Sequence, residues 1–231
     1  MSLPPDPISP RCHALLPTAG SGSRAGTEHP KQYQPVAGRP MVRHTLDALR
    51  GVLPWVPPSP NMPTPDTALV YPGMGLLEGT NVSEGRGTTR PFETVGAPWV
   101  DARALAERLN AMALPGVRFR PTWFTPTFSK HAGQACGGVQ LHVTDRAAFR
   151  PVRTGVAVLK ALHDQHPQDF DFLPGKPPFF DRLAGVPWLR EAIVRGDTLD
   201  AIEARWQAPL ADVLRLRQRH LRYPGRSEAR D

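Results

Sequence analysis

The chain has 231 residues, a length that suits one large domain or two small ones. Hydrophobic residues make up 40% of it, which is enough to form a buried core. Its formal net charge of +7 is concentrated at the ends, because residues 1–50 have six Lys/Arg against three Asp/Glu, residues 215–231 have six against two, and the middle is neutral. This distribution argues against nucleic-acid binding, and no apolar stretch approaches the roughly 20 residues that a membrane span needs.

The first predicted elements lie between residues 12 and 93. We predict a strand at about 12–17, a loop to residue 38 and a helix at about 39–50. Six prolines between residues 54 and 65 then forbid regular structure. Residues 67–71 are expected to form a short strand. A polar, Gly-rich loop follows this strand.

The remainder of the chain shows clearer periodicity. Asp101 is expected to cap a helix that runs to about Met112, because Leu105, Leu109 and Met112 recur at helical spacing. Residues 117–124 and 138–144 alternate as strands do. Helices are predicted to dominate after the second of these strands, at about 153–165, 187–195, 198–206 and 208–221. This order of elements predicts an α/β or α+β fold.

Residues 59–93 combine polar side chains with glycines, threonines and prolines, and almost no apolar periodicity follows Leu77. We therefore expect that this segment is not core. Its glycines allow close approach to a ligand, and its carboxylates, amides and guanidinium are groups that grip a polar substrate. These polar side chains belong to Asn61, Tyr71, Glu78, Asn81, Glu84, Arg86 and Glu93.

Six long stretches follow one another between residues 53 and 223: PWVPPSPNMPT, VYPGMGLLEGTNVSEGRGTTRPFE, GAPWVDA, LNAMALPGVRFRP, PTFSKHAGQACGGVQLHVTDR and FDFLPGKPPFFDRLAG. In this order they resemble the carboxy-terminal half of the exo-β-N-acetylmuramidase family. The resemblance implies a mixed α+β glycosidase domain over residues 51–231. It also implies removal of terminal N-acetylmuramic acid from peptidoglycan fragments, without a metal or nucleotide. The family's presumed catalytic glutamate lies in a Glu-His-Gly motif, a string that this sequence lacks.

Hydrolysis of a glycoside usually needs one carboxylic acid to protonate the leaving oxygen and a second carboxylate as base or nucleophile. Glu78 and Glu84 lie six residues apart in the polar loop and are the candidate catalytic residues. The alternative is that they organise the loop, by accepting backbone N–H bonds or by pairing with Arg86 and Arg90.

Candidate substrate contacts follow from the same resemblance. Arg86 suits the lactyl carboxylate of N-acetylmuramic acid, since a guanidinium fork matches a carboxylate, and a structural ion pair with Glu84 or Glu93 is the alternative. No metal site is predicted, because no metal-ligand spacing joins the histidines and the two cysteines form no zinc motif. The candidate substrate-binding residues are Tyr71, Asn81, Arg86, Glu93, Lys130 and His142.

The first fifty residues carry a different signal. Gly20 and Gly22 form a glycine loop after the predicted strand, and Arg24 and Lys31 follow. Such a loop exposes backbone N–H groups to phosphates, and the two cations neutralise charge that develops during nucleotidyl transfer. This segment, above all the string PKQYQPVAGRP, resembles the amino terminus of 2-C-methyl-D-erythritol 4-phosphate cytidylyltransferase. The resemblance implies an incomplete Rossmann-like strand, loop and helix over residues 1–50, with CTP and Mg²⁺ as its ligands.

Two unrelated families therefore meet near Gly51. We predict a truncated or chimeric muramidase-family protein whose partners are peptidoglycan fragments or muramyl sugars. The alternatives are a cytidylyltransferase fragment of isoprenoid biosynthesis and a non-catalytic fusion remnant. The chain as written starts without a signal peptide, so we expect a cytoplasmic protein, whereas the muramidase family is expected in the periplasm or outside the cell. A domain cut through its scaffold is expected to self-associate through exposed apolar surface.

Overall fold

The structure, a computed structural model, describes residues 35–36, 39–40 and 55–219. Strand β1 (Pro35–Val36) pairs antiparallel with strand β2 (Arg39–Pro40). The expected loop and helix are therefore wrong at these four residues, which pair as strands. The strand predicted at 12–17, the helix beyond residue 40 and the nucleotide-binding candidates Gly20, Gly22, Arg24 and Lys31 lie outside the described residues.

Helix α1 (Pro65–Met74) occupies the place of the strand predicted for residues 67–71, and that prediction is wrong. Pro65 is at the first helical position and the Thr64 side chain accepts a hydrogen bond from the Thr67 N–H, which together start a helix despite the β-branched residues that follow. A short 3₁₀ helix (Gly75–Gly79) continues the chain. The proline-rich stretch before Thr64 has no helix or strand from residue 55 onward.

Three antiparallel strands form the main sheet, in the order β3 (Thr94–Ala97), β5 (Cys136–Val143) and β4 (Val117–Phe124). The predicted strands at 117–124 and 138–144 are confirmed, whereas β3 was not predicted. Val139 and Leu141 of β5 face the core, while His142 on the opposite face is exposed. Alternation of this kind is what a sheet with one buried face produces.

Helix α2 (Ala102–Ala111) begins where the sequence predicted, because the Asp101 carboxylate accepts from the N–H groups of Arg103 and Ala104. Leu105 and Leu109 are fully buried. They join a core that also contains the apolar side of α3 (Pro151–Gln165) and the inner face of the sheet. Helices α1 and α3 approach so closely that a Cβ on Gly73 would lie 1.8 Å from the carbonyl oxygen of Pro151.

The last helices are α4 (Phe179–Ala184), α5 (Trp188–Arg195) and α6 (Leu199–Gln218). The predicted helices at 153–165 and 187–195 are confirmed, and α4 was not predicted. The two helices predicted at 198–206 and 208–221 are one helix, which passes through Pro209. Ile202 anchors α6 in the core, whereas the second half of the helix exposes Leu210, Val213, Leu214 and Leu216. No helix in the described part is long and apolar enough to cross a membrane.

Candidate functional site

The polar segment between residues 75 and 93 is largely buried, so the expectation that it is not core is wrong. Ser83 and Gly96 exchange two backbone hydrogen bonds of 2.9 and 3.0 Å, which attach the segment to the edge of β3. Glu84 is 2% exposed and Glu93 is 5% exposed. Polar side chains can be buried here because they satisfy one another.

Glu84 is the centre of a charged cluster that consists of Glu78, Glu84, Arg86 and Lys130. Its Oε1 forms an ion pair with Arg86 Nε at 3.0 Å, and its Oε2 accepts a hydrogen bond from Lys130 Nζ at 2.9 Å. A terminal nitrogen of Arg86 also forms an ion pair with Glu78 Oε1 at 3.1 Å. Both predicted catalytic carboxylates therefore contact one guanidinium. The two cations balance the two carboxylates.

Lys130 closes the cluster from the loop between β4 and β5. Its ammonium donates to the carbonyl oxygens of Leu77 at 2.9 Å and Val82 at 3.0 Å, and it contacts that of Glu78 at 3.3 Å. Burial lowers the pKa of Lys130, while the Glu84 carboxylate opposes this shift. The ammonium therefore has four oxygen partners, three carbonyl groups and the Glu84 carboxylate. It holds the 3₁₀ turn and the Glu84 side chain together.

Arg86 and Tyr71 both contact one aromatic ring, that of Phe92. The Arg86 guanidinium carbon lies 5.2 Å from the ring centroid, and the Tyr71 ring meets Phe92 edge to face at 4.8 Å. Burial raises the pKa of the Tyr71 hydroxyl, and the Glu78 carboxylate raises it further while Arg86 opposes. Phe92 itself has a φ of +62°, which is uncommon for an aromatic residue.

Three members of the cluster are partly exposed, Arg86 at 28%, Glu78 at 22% and Lys130 at 20% of the side chain, whereas Glu84 is 3% exposed. Both Glu84 oxygens are paired with cations, Oε1 with Arg86 and Oε2 with Lys130. Glu78 has a single cationic partner and more solvent contact. The geometry therefore separates the two predicted catalytic residues into an inner carboxylate, Glu84, and an outer one, Glu78.

The remaining candidates have separate surroundings. The Asn81 amide donates to the carbonyl oxygen of Asp169 at 2.7 Å and accepts from the Asp171 N–H at 3.0 Å, so it joins two loops. His131 Nε2 lies 2.7 Å from the Asn81 carbonyl oxygen. Glu93 accepts from the hydroxyls of Thr67 at 2.6 Å and Thr64 at 3.2 Å, and from Arg90 at 3.2 Å. His142 lies on the exposed face of β5, opposite Arg118.

Sequence reasoning missed Phe92. A phenylalanine in a sequence does not show that its backbone has a left-handed conformation, or that the side chains of Arg86 and Tyr71 contact its ring. Sequence reasoning also missed how Gly85 and Gly87 shape the loop. Both have positive φ, and a Cβ on Gly85 would lie 2.3 Å from the Thr94 carbonyl oxygen. Within residues 55–219, no group of three or more His, Cys, Asp or Glu side chains is placed to hold a metal ion.

The fold resembles that of solved bacterial proteins of the DUF1343 class. One, from Bacteroides fragilis NCTC 9343, superposes with a TM-score of 0.66 at 31% identity, over 74% of this chain and 46% of that one. Residues 69–223 match the family described as exo-beta-N-acetylmuramidase NamZ, C-terminal, and the chain belongs to this family. The peptidoglycan beta-N-acetylmuramidase NamZ of Bacillus subtilis (strain 168) is 51% identical over 171 residues, 74% of this chain. The chain spans 41% of the length of that relative.

The amino-terminal resemblance is also confirmed. Residues 12–56 match the 2-C-methyl-D-erythritol 4-phosphate cytidylyltransferase family. The bifunctional enzyme IspD/IspF of Albidiferax ferrireducens is 58% identical over 50 residues, which are 22% of this chain and 12% of that protein. The two family matches do not overlap. The domain boundary near residue 51 stays a prediction.

Proposed function

We propose that this chain binds the terminal N-acetylmuramic acid of a peptidoglycan fragment through the charged cluster, as part of an exo-acting muramidase. The observation that carries the proposal is the partly exposed Arg86 guanidinium, which contacts both a buried carboxylate and an aromatic ring. A guanidinium fixed in this way is preorganised to take a carboxylate bidentately. N-acetylmuramic acid presents such a carboxylate on its lactyl group.

The proposed binding step is an exchange of partners on Arg86. The lactyl carboxylate replaces Glu78, which is the more accessible of the two carboxylates, with 22% of its side chain exposed against 3% for Glu84. Glu84 keeps its contact with Arg86 Nε throughout, because its other oxygen is held by Lys130, which three carbonyl groups fix in turn. Glu78 is then released beside the bound sugar, where we assign it the acid or base role in hydrolysis.

The roles proposed for the two carboxylates therefore differ. Glu78 faces the substrate, whereas Glu84 positions Arg86 and contacts no substrate atom. Tyr71 borders the same surface beside Phe92 and is the proposed contact for a sugar hydroxyl. For Asn81, Glu93 and Lys130 we propose support of the loop, since each directs its polar atoms to protein partners. No metal or nucleotide is required by these roles.

Calorimetric titration of the full chain with N-acetylmuramic acid and with N-acetylglucosamine tests the binding proposal, since the two sugars differ by the lactyl group. Arg86→Met should weaken N-acetylmuramic acid binding at least about tenfold, the equivalent of about 1.4 kcal/mol, and leave N-acetylglucosamine unaffected. Arg90→Met is the matched control, because Arg90 is more exposed and pairs with Glu93 instead. Unchanged N-acetylmuramic acid affinity in the Arg86 variant would refute the proposal.

A chromogenic muramide tests hydrolysis separately. We expect Glu78→Gln to lower any release of N-acetylmuramic acid while binding persists. Binding without release in the parent chain would assign a sugar-binding role to this domain and leave the catalytic acid to another polypeptide segment. The expected cytoplasmic location stays a prediction, which cell fractionation tests.

The second candidate function, CTP-dependent transfer to methylerythritol phosphate with Mg²⁺, rests on the match of residues 12–56 alone. The bifunctional relative is matched over 12% of its length. We propose that the chain does not catalyse this reaction. If the parent chain releases pyrophosphate from CTP and the Lys31→Ala variant does not, the transferase function would be favoured over the muramidase function.

Self-association is proposed for the second half of α6. Leu210, Val213, Leu214 and Leu216 are between 44% and 59% exposed on this helix. Such a surface favours association in water. Light scattering tests it, and a monodisperse monomer at high concentration would argue against it.

A further inference from the structure

The side of the main sheet that faces away from the core is basic. Along β4, Arg118 and Arg120 are exposed and alternate with buried residues. On β5, His142 is exposed and pairs with Arg118 across the strands. Alternate residues of a strand share one face of the sheet, so all three side chains project from the side opposite the core. We call this surface, together with the half-buried Gln140, the outer basic face.

The strand register brings these side chains close together. Arg118 lies directly opposite His142, and Arg120 lies directly opposite Gln140. Facing residues of antiparallel strands have Cβ atoms about 5 Å apart, and alternate residues of one strand are about 7 Å apart. The two guanidinium groups repel each other at this separation, and an anion placed between them would relieve the repulsion.

No carboxylate of the sheet compensates this charge. Strands β3, β4 and β5 contain no Asp or Glu. Within the described part of the chain, the Arg118 side chain forms no hydrogen bond or ion pair, and Arg120 donates only to the Gln140 side chain and to a backbone carbonyl group. Asp145, the first carboxylate after β5, accepts instead from two backbone N–H groups. The donors of the outer basic face are therefore available to an external anion.

The strand that carries the two arginines is held firmly. Phe119, which lies between them, donates its N–H to Asn110 Oδ1 at 3.0 Å, and its carbonyl oxygen accepts from Asn110 Nδ2 at 2.7 Å. The other edge of β4 pairs with β5 along its whole length. Because the backbone is fixed before a ligand arrives, only the two side chains lose freedom on binding.

We infer that the outer basic face binds a linear phosphodiester polymer, with neighbouring phosphates on Arg118 and Arg120. A guanidinium matches a phosphate bidentately, and two of them about 7 Å apart suit a flexible chain with one phosphate in each short repeat. A single-stranded nucleic acid is disfavoured, because its bases need aromatic rings to stack on and the outer basic face has none. An acidic peptide that adds itself to a sheet edge is also disfavoured, since Asn110 covers the outer edge of β4.

Calorimetric titration of the full chain with poly(glycerol phosphate) at several salt concentrations tests the inference. The double variant Arg118→Gln/Arg120→Gln should bind this polymer at least about tenfold more weakly than the parent chain. For single-stranded polyanions, each neutralised phosphate contributes about −0.7 to the slope of log K against log salt concentration. Loss of both arginines should therefore make this slope less steep by about 1.4.

A matched control separates the outer basic face from the net charge of the chain. Arg217→Gln/Arg219→Gln removes two exposed arginines at the end of α6 and changes the net charge by the same amount. This variant should weaken binding of the polymer less than about threefold. All four arginines are exposed, so neither double variant is expected to unfold the domain, and circular dichroism verifies this.

Several results would overturn the inference. Equal losses in the two double variants would mean that net charge alone decides binding, and absence of binding in the parent chain would remove the site. Oligothymidylate or poly-L-glutamate that binds as tightly as poly(glycerol phosphate) would contradict the preference for a phosphodiester polymer without bases. The inference goes beyond the proposed function and uses no residue of the charged cluster. The affinity of Arg118→Gln/Arg120→Gln for N-acetylmuramic acid should therefore equal that of the parent chain, so that either proposal can fail without the other.

Discussion

Replacing Lys130 by Met tests the buried part of the site most directly. The substitution keeps a side chain of similar length but removes the ammonium that contacts Glu84 and three carbonyl groups. Glu84, at 2% exposure, would keep only Arg86 as a cationic partner. The carbonyl groups of Leu77, Glu78 and Val82 would lose a shared donor.

The expected loss follows from these contacts. Breaking a buried ion pair by removing one partner costs about 3–5 kcal/mol, since an uncompensated charge remains. The Lys130 side chain is only 20% exposed, so solvent screens this pair weakly. For a chain of this size, about 3–5 kcal/mol corresponds to a decrease in Tm of about 6–20 °C.

Urea unfolding followed by circular dichroism measures the effect. Lys176→Met is the matched control, because Lys176 is exposed in a loop and should change the free energy of unfolding by less than about 0.5 kcal/mol. The double variant Lys130→Met/Glu84→Gln should recover part of the loss, since it removes the stranded carboxylate. A coupling of about 0.5–3 kcal/mol between the two residues is expected.

The reasoning fails if Lys130→Met is within about 1 kcal/mol of the parent chain, a change typical of an ordinary substitution. It also fails if Glu84→Gln makes the loss larger instead of smaller. Either result would mean that Lys130 does not hold Glu84 in the folded protein, and the fixed position of Arg86 would lose its support.

Three further predictions concern the scaffold. Gly155→Ala should destabilise the protein by about 1–3 kcal/mol, because the new Cβ would lie 2.3 Å from the Gly73 carbonyl oxygen, whereas an equally stable variant would show that α1 and α3 do not touch there. Asp101→Ala should cost about 1 kcal/mol in urea unfolding and Asp101→Asn much less, so equal losses would contradict the cap of α2. Burial raises the pKa of the Cys136 thiol, so in a Cys12→Ser background it should react with a disulfide reagent far more slowly in the native than in the unfolded chain, and equal rates would argue against its burial.

Local sequence signals were sufficient to predict those helices and strands whose first residue and apolar spacing can be recognised within a short segment. Helix α2 is an example, since the Asp101 cap and the spacing of Leu105 and Leu109 all favour a helix. They were misleading for residues 67–71, where β-branched and aromatic residues suggested a strand. There the Thr64 cap, Pro65 and close packing of Gly73 on α3 produce a helix. Strand β3 was missed because four residues, all buried, show no alternation.

For the site, too, one part could be predicted from the sequence and another part could not. The order of motifs identified the family, and the choice of Glu78, Glu84 and Arg86 as candidates needed only their chemistry and proximity in the chain. Sequence could not tell which carboxylate is buried, because that depends on Lys130, 46 residues from Glu84. Nor could it place Phe128 beside Gly87, since a hydrogen bond between Thr127 and Gly87, 40 residues apart, forms only when the loops meet.

The sequence by itself therefore determined the two family relationships, the neutral charge of the middle region and the polar residues from which a site could be built. The tertiary structure alone decided that the polar segment is largely buried and that Arg86 contacts both Glu84 and Phe92. The physical reason is that burial and ion pairing are set by contacts between distant segments. The residues next to it in the chain do not show which distant segments a residue contacts.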